Sequence, residues 1–132
     1  MTLLTDPLRA ALVANAVASA EQPRHDPLPV LKLFSPLGPA TWLATELMDD
    51  GDSLFGLADL GFGCPELGYF SLSEIAALRL PFGLGIERDL SFATVHPLSL
   101  WLAAARAGGS IQVAEAWLAH RARELPPHDR GG

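Results

Sequence analysis

Three consecutive runs decide the fold: Thr41-Trp42-Leu43-Ala44-Thr45-Glu46-Leu47, then Asp49-Asp50-Gly51-Asp52, then Ser53-Leu54-Phe55-Gly56-Leu57-Ala58-Asp59-Leu60. The first run alternates. In an extended chain Thr41, Leu43, Thr45 and Leu47 fall on one side and Trp42, Ala44 and Glu46 on the other. Aspartates around a glycine make a tight turn. The third run returns as a strand, so the three together read as an antiparallel hairpin. Glycine weakens a strand interior, and Gly56 therefore predicts a bulge or a closely packed neighbour.

Working outward from the hairpin, Val30-Leu31-Lys32-Leu33-Phe34 reads as a preceding strand, and Ser35 to Pro39 as a turn. Upstream, Asp6-Pro7 is a helix start, with an N-cap carboxylate before a proline. Leu8, Leu12 and Ala16 share a face of a helix running to about Ala20. That face is weakly apolar, and a linker holding Pro23, Pro27 and Pro29 follows it, so the helix is expected to pack loosely or on a partner.

Downstream, Gly61-Phe62-Gly63-Cys64-Pro65-Glu66-Leu67-Gly68-Tyr69 reads as a loop. Ser71-Leu72-Ser73-Glu74 fits a capping box for a short helix ending near Leu78, with Phe70 and Ile75 placed as a staple. Ile86 to Phe92 alternates and reads as a fourth strand, with Ile86, Arg88, Leu90 and Phe92 on its inner side. Pro97 opens a helix with the stripe Leu98, Trp101, Leu102 and Ala105, which Gly108-Gly109 ends. Ser110 caps a last helix in which Ile111, Ala114, Trp117, Leu118 and Arg121 share a face, while Glu115, Arg123 and Glu124 are solvated. The expected fold is α+β: a small antiparallel sheet of about four strands with helices on one face, in the order α-β-β-β-α-β-α-α. Residues 1–29 are read as a helix and linker, 30–125 as the domain, and 126–132 as a flexible tail.

The chain has 132 residues, 49% of them hydrophobic and 18% charged, with a net charge of −6. That composition supports a folded core and argues against disorder. No apolar run reaches the ~20 residues of a membrane helix, and the start, Met1-Thr2-Leu3-Leu4-Thr5-Asp6, does not read as a secretory signal. One cysteine, Cys64, precludes an internal disulfide and a multi-cysteine zinc site. A cytoplasmic location is expected. An acidic chain is a poor binder of phosphate backbones, so direct nucleic-acid contact is not expected. From Ala40 to Asp89, the acids Glu46, Asp49, Asp50, Asp52, Asp59, Glu66, Glu74, Glu87 and Asp89 face only Arg79 and Arg88.

The central stretch resembles an uncharacterised bacterial family, the domain of unknown function numbered 2958. The resemblance is carried by Lys32 to Pro36, Thr41 to Leu47, Phe55 to Tyr69, Ser71 to Glu74 and Ile86-Glu87-Arg88-Asp89, within about Val30 to Ala107. It is most specific at Cys64-Pro65-Glu66-Leu67-Gly68-Tyr69. The resemblance implies a protein of plasmids and conjugative elements, with a role in transfer, maintenance or evasion of host defence. It supplies no catalytic residues.

Motifs for chemistry are sparse. Cys64 and a histidine could form a nucleophile pair, but nothing in the sequence brings them together. His25, His96, His120 and His128 lack a metal-ligand spacing. Asp49 to Asp52 is too short for a calcium loop, and Gly61-x-Gly63 has no phosphate-loop lysine. No cofactor or metal is expected. Asp59, Glu66, Glu87, Arg88 and Asp89 are the polar residues that a pocket could turn to acid/base work. Arg88 shares a side with apolar residues and so demands a carboxylate, with Asp59 or Glu66 as its expected partner, anchoring the glycine loop. Phe62 and Tyr69 flank that loop as candidate anchors for a protein partner; Trp42, Phe55, Phe70, Trp101 and Trp117 read mostly as core. The candidate functional loop is therefore Asp59, Phe62, Cys64, Glu66, Tyr69 and Arg88. The leading expectation is a non-enzymatic interaction module of mobile DNA. One alternative is an acidic inhibitor of a host defence nuclease, of anti-restriction or anti-CRISPR type. The other is a small enzyme using carboxylates or Cys64.

Overall fold

Strand β2 (Thr41–Leu47) and strand β3 (Ser53–Asp59) form the expected hairpin, with Thr41 opposite Asp59 and Leu47 opposite Leu54. The structure is a computed structural model, which describes residues 2–124; the tail expected over 126–132 and the side chains of Arg123 and Glu124 lie outside the described residues. The register slips between Ala44 and Glu46, leaving Thr45 bulged opposite the Gly56 region. Gly56 is required there, because a Cβ would sit 1.8 Å from the Leu43 carbonyl oxygen. The bulge corrects the simple alternation of β2. Leu47 joins Trp42 and Ala44 in one cluster, while Leu43 faces the opposite side. An extra residue reverses the side-chain parity beyond it.

Strand β1 (Leu31–Phe34) pairs with β2, and strand β4 (Glu66–Ser71) pairs with β3. Strand β5 (Glu87–Arg88) pairs with β1, completing a five-stranded antiparallel sheet in the order β4-β3-β2-β1-β5. The α+β class holds, with two corrections to the strands. Glu66 to Ser71 is a strand rather than part of the glycine loop. The strand expected over Ile86 to Phe92 is two residues long, because the Asp89 carboxylate accepts the Ser91 amide and hydroxyl and turns the chain away. Leu90 is consequently exposed, and Phe92 turns to the other cluster.

Helix α1 (Asp6–Glu21) is capped one residue earlier than expected: Thr5, not Asp6, accepts the Leu8 amide. It does not pack loosely. Leu12 is fully buried beside Leu3 and Leu4. Asn15 donates to the carbonyl of the bulged Thr45 at 2.9 Å, and Ser19 donates to Glu46 at 2.8 Å. The bulge gives up a ladder bond, and the helix supplies the replacement donor. Helix α2 (Leu72–Ala77) starts at the expected cap, with Ser71 Oγ accepting the Glu74 amide at 3.1 Å. Helices α3 (Leu98–Gly108) and α4 (Ile111–Glu124) are separated by Gly109 at φ 85°, and Ser110 caps the second.

The helices cover both faces of the sheet, which corrects the one-sided layout. Residues of α1 and α2 pack with Leu31, Leu33, Trp42 and Leu54 on one face; α3 and α4 pack with Leu43 and Leu57 on the other. A strand such as β2, apolar on both sides, has to be buried on both. Trp117, expected in the core, is 46% exposed with Arg121 over its ring at 5.4 Å. No helix among the described residues is long and apolar enough to cross a membrane.

Candidate functional site

The β3–β4 hairpin is built on a buried carboxylate. Asp59 ends β3 and is 1% exposed. One of its oxygens accepts the Gly61 amide and the other the Ile111 amide, each at 2.9 Å. The first bond closes the turn; the second fixes the turn to the first residue of α4, where the helix N-terminus also favours negative charge. Gly61 (φ 93°) and Gly63 (φ 81°) take left-handed conformations that other residues reach only with strain.

This clamp presents an apolar surface. Leu60 is 53% exposed, Phe62 82%, Leu67 39% and Tyr69 68%. The Tyr69 ring packs on Phe55, directly across from it in the register, at 5.1 Å between centroids. Cys64 and Glu66 are exposed on the same hairpin. Four of the exposed large apolar side chains of the described residues thus lie on this one hairpin. Leu60 and Leu67 escaped the sequence reading; the alternation of β4 would have placed Leu67 beside Tyr69 had that segment been taken as a strand.

Arg88 does not join the hairpin, a correction to the expected anchor. It lies on β5, and β1 and β2 separate it from β3, about 14 Å at ~4.8 Å per strand. Its guanidinium donates instead to the backbone carbonyls of Thr2 at 3.3 Å and Leu3 at 2.9 Å. The charged donor fastens the segment before α1 over this edge of the sheet. Arg88→Ala is therefore expected to cost about 1–2 kcal/mol in urea unfolding, the scale of charge-assisted bonds at a half-exposed site. The hairpin resonances should stay unmoved in NMR spectra; shifts at Gly61 to Gly63 would restore the anchor idea.

A second polar cluster lies across the sheet. Lys32 Nζ is 2.6 Å from Glu115 on α4 and 3.4 Å from Asp89, with its side chain only 13% exposed. The signal was the strand pattern, which puts Lys32 on the side opposite Leu31 and Leu33, under α4. Glu115 is correspondingly paired rather than simply solvated. Among the described residues, no three His, Cys, Asp or Glu side chains converge as a metal site would require.

At the β2–β3 turn, Asp50 accepts the Asp52 and Ser53 amides and the Ser53 hydroxyl. Asp52 accepts the Ser71 hydroxyl and the Ser73 amide, tying the turn to α2. The Ser53 hydroxyl holds the Asp50 carboxyl below its ordinary value of 3.8, and the Ser71 hydroxyl does the same for Asp52. Partial burial pushes the Asp89 carboxyl up, but the Ser91 hydroxyl and amide, with Lys32, hold it lower on balance. A carboxyl with a depressed folded value stabilises the fold above its unfolded value and loses that contribution as pH falls through the folded one. The melting temperature is expected to hold steady down to about pH 4 and to drop below it, with a shallower drop in Asp89→Asn. A melting temperature that stayed level well below pH 4 would contradict these bonds.

A family model described as a protein of unknown function (DUF2958) matches residues 3–112. The match takes in the whole sheet, α1 to α3 and Ile111, whose amide Asp59 holds, and so reaches beyond the 30–107 stretch marked by the motifs. No curated protein and no solved structure shows a significant match to the chain.

Proposed function

The chain belongs to the DUF2958 family of proteins of unknown function, and from that premise we propose that it is a non-enzymatic interaction module, an accessory protein of mobile DNA that binds a protein partner through the β3–β4 hairpin. One observation carries this reading: Leu60, Phe62, Leu67 and Tyr69 are exposed together on a hairpin whose turn is clamped from within by Asp59. A rigid apolar surface loses little conformational entropy on binding. The nuclease-inhibitor alternative draws on the acidic β2–β3 turn. There Asp50 and Asp52 already serve the turn and α2, so the apolar hairpin is the better supported surface.

The test is crosslinking in cells. A photoreactive phenylalanine analogue at Phe62 is expected to give a discrete protein adduct, and the same analogue at the exposed Gln112 on α4 none. Phe62→Ser is expected to change stability by less than about 0.5 kcal/mol, since so exposed a ring contributes little to the core, and to abolish complex formation with the protein so identified. Equal, diffuse labelling at both positions would remove the proposal.

A further inference from the structure

The two edges of the sheet are treated differently. Unpaired strand edges recruit other strands, and folded proteins guard them with short strands, bulges, prolines, lysines or a covering segment. The β5 edge is guarded: its strand is two residues long, and Arg88 straps the Thr2–Leu3 backbone to it. The β4 edge lacks a bulge, a proline or lysine within the strand, and extreme shortness. Its six residues pair with β3 without a register break, from Ser53 opposite Ser71 to Ala58 opposite Glu66. Glu66 to Ser71 contains no proline or lysine, and among the described residues no strand pairs with its outer side.

The side chains and charges around that edge describe what fits it. Leu67 lies opposite Leu57, and Tyr69 opposite Phe55, so both extend the apolar rows of the face that α3 and α4 cover. A further strand would continue those rows with apolar residues at alternate positions. The ends of β4 are acidic: Glu66 at one, and Asp50, Asp52 and Glu74 by the other. From Ala40 to Leu78 the sequence holds no Lys, Arg or His; Arg9 of α1 lines the surface beside Asp49 and Asp52, so the Glu66 end is the one without a base from this stretch or from α1.

Resting on the interaction reading above, we propose that β4 accepts an extended segment of the partner protein as a sixth strand, one that alternates apolar residues and is flanked by Lys or Arg. The backbone ladder supplies affinity, Leu67 and Tyr69 supply the apolar contacts, and the acidic ends select basic flanks.

The probe is a short labelled synthetic peptide of alternating Val and Thr with Arg-Lys at each end, titrated into the full chain by fluorescence anisotropy and amide NMR. It is expected to bind with shifts centred on Glu66 to Ser71 and to weaken as salt rises. The same peptide ended in Glu residues is expected to bind on the order of tenfold more weakly. A version with alternate backbone nitrogens methylated, which cannot complete the ladder, is expected to fail. Tyr69→Lys is expected to repel the basic peptide; Glu66→Lys, at an exposed position, serves as a second variant should Tyr69→Lys unfold. Equal binding of both charge forms, undiminished binding of the methylated peptide, or self-association of the chain through β4 in place of peptide binding would each overturn strand addition. A partner crosslinked at Phe62 whose binding ignores Tyr69→Lys and Glu66→Lys would overturn it too, while leaving the interaction reading standing.

Discussion

Asp59→Ala is expected to lower the free energy of unfolding by about 2–4 kcal/mol. The carboxylate is buried and serves two backbone amides, those of Gly61 and Ile111. Removing it leaves the buried Ile111 amide dry, at roughly 1–3 kcal/mol, strips the exposed Gly61 turn of its closing bond, and takes negative charge from the start of α4. Asp59→Asn keeps one carbonyl oxygen but turns an NH2 toward the other amide, so it recovers less than half of the loss. The loss is expected to be local first. Hydrogen exchange should quicken at the start of α4 and in the 60–65 turn before the β1–β2 pairing is affected. Urea unfolding of Asp59→Ala within about 0.5 kcal/mol of the parent would show that the clamp carries little.

Gly56→Ala is expected to cost about 3 kcal/mol or more, the upper range for forcing atoms into a filled site. The added methyl would meet the Leu43 carbonyl at 1.8 Å and the Ala44 Cα at 2.9 Å. Both are backbone atoms of the central strand, so no side-chain rotation relieves the clash. The control lies in the same row of the sheet: Gly68 pairs with Gly56, and a Cβ on Gly68 meets nothing within 4 Å. Gly68→Ala is expected to stay within about 0.5 kcal/mol of the parent, or to gain from the lower entropy of its unfolded chain. Thermal melts of the two variants side by side decide the matter; similar melting points would mean that the bulge relaxes freely around residue 56.

The hairpin was legible because alternation and turn chemistry agreed over Thr41 to Asp59, and the caps at Ser71 and Ser110 because their bonds are local. What failed was long-range. β4 begins after a glycine-rich turn and contains Gly68, so its composition is that of a loop; pairing with β3 makes it a strand. The two-sided burial of β2 was written in Trp42-Leu43-Ala44, apolar on consecutive residues, but a bulge hid the parity change at Thr45. Arg88 and Asp59 looked complementary because Arg88 was expected among apolar residues and Asp59 is an acid flanking the glycine loop. Only the strand order, which puts β5 and β3 on opposite sides of β1 and β2, separates their roles. Arg88 holds the start of the chain, and Asp59 holds α4. For the candidate surface, the sequence pointed to Phe62 and Tyr69, and the hairpin geometry added Leu60 and Leu67.

Lys32 is the single lysine of the sequence, and its ammonium is enclosed by Glu115 and Asp89 with 13% of the side chain exposed. Reagents and enzymes that modify side-chain amines need to reach the nitrogen, and this one is enclosed between two carboxylates under α4. Side-chain amine acylation, biotinylation or ester-based crosslinking will therefore pass the folded chain by, and a partner complex trapped that way would escape notice. Reactivity at Lys32 instead reports α4 leaving the sheet, which makes that one nitrogen a chemical gauge of whether the fold is closed.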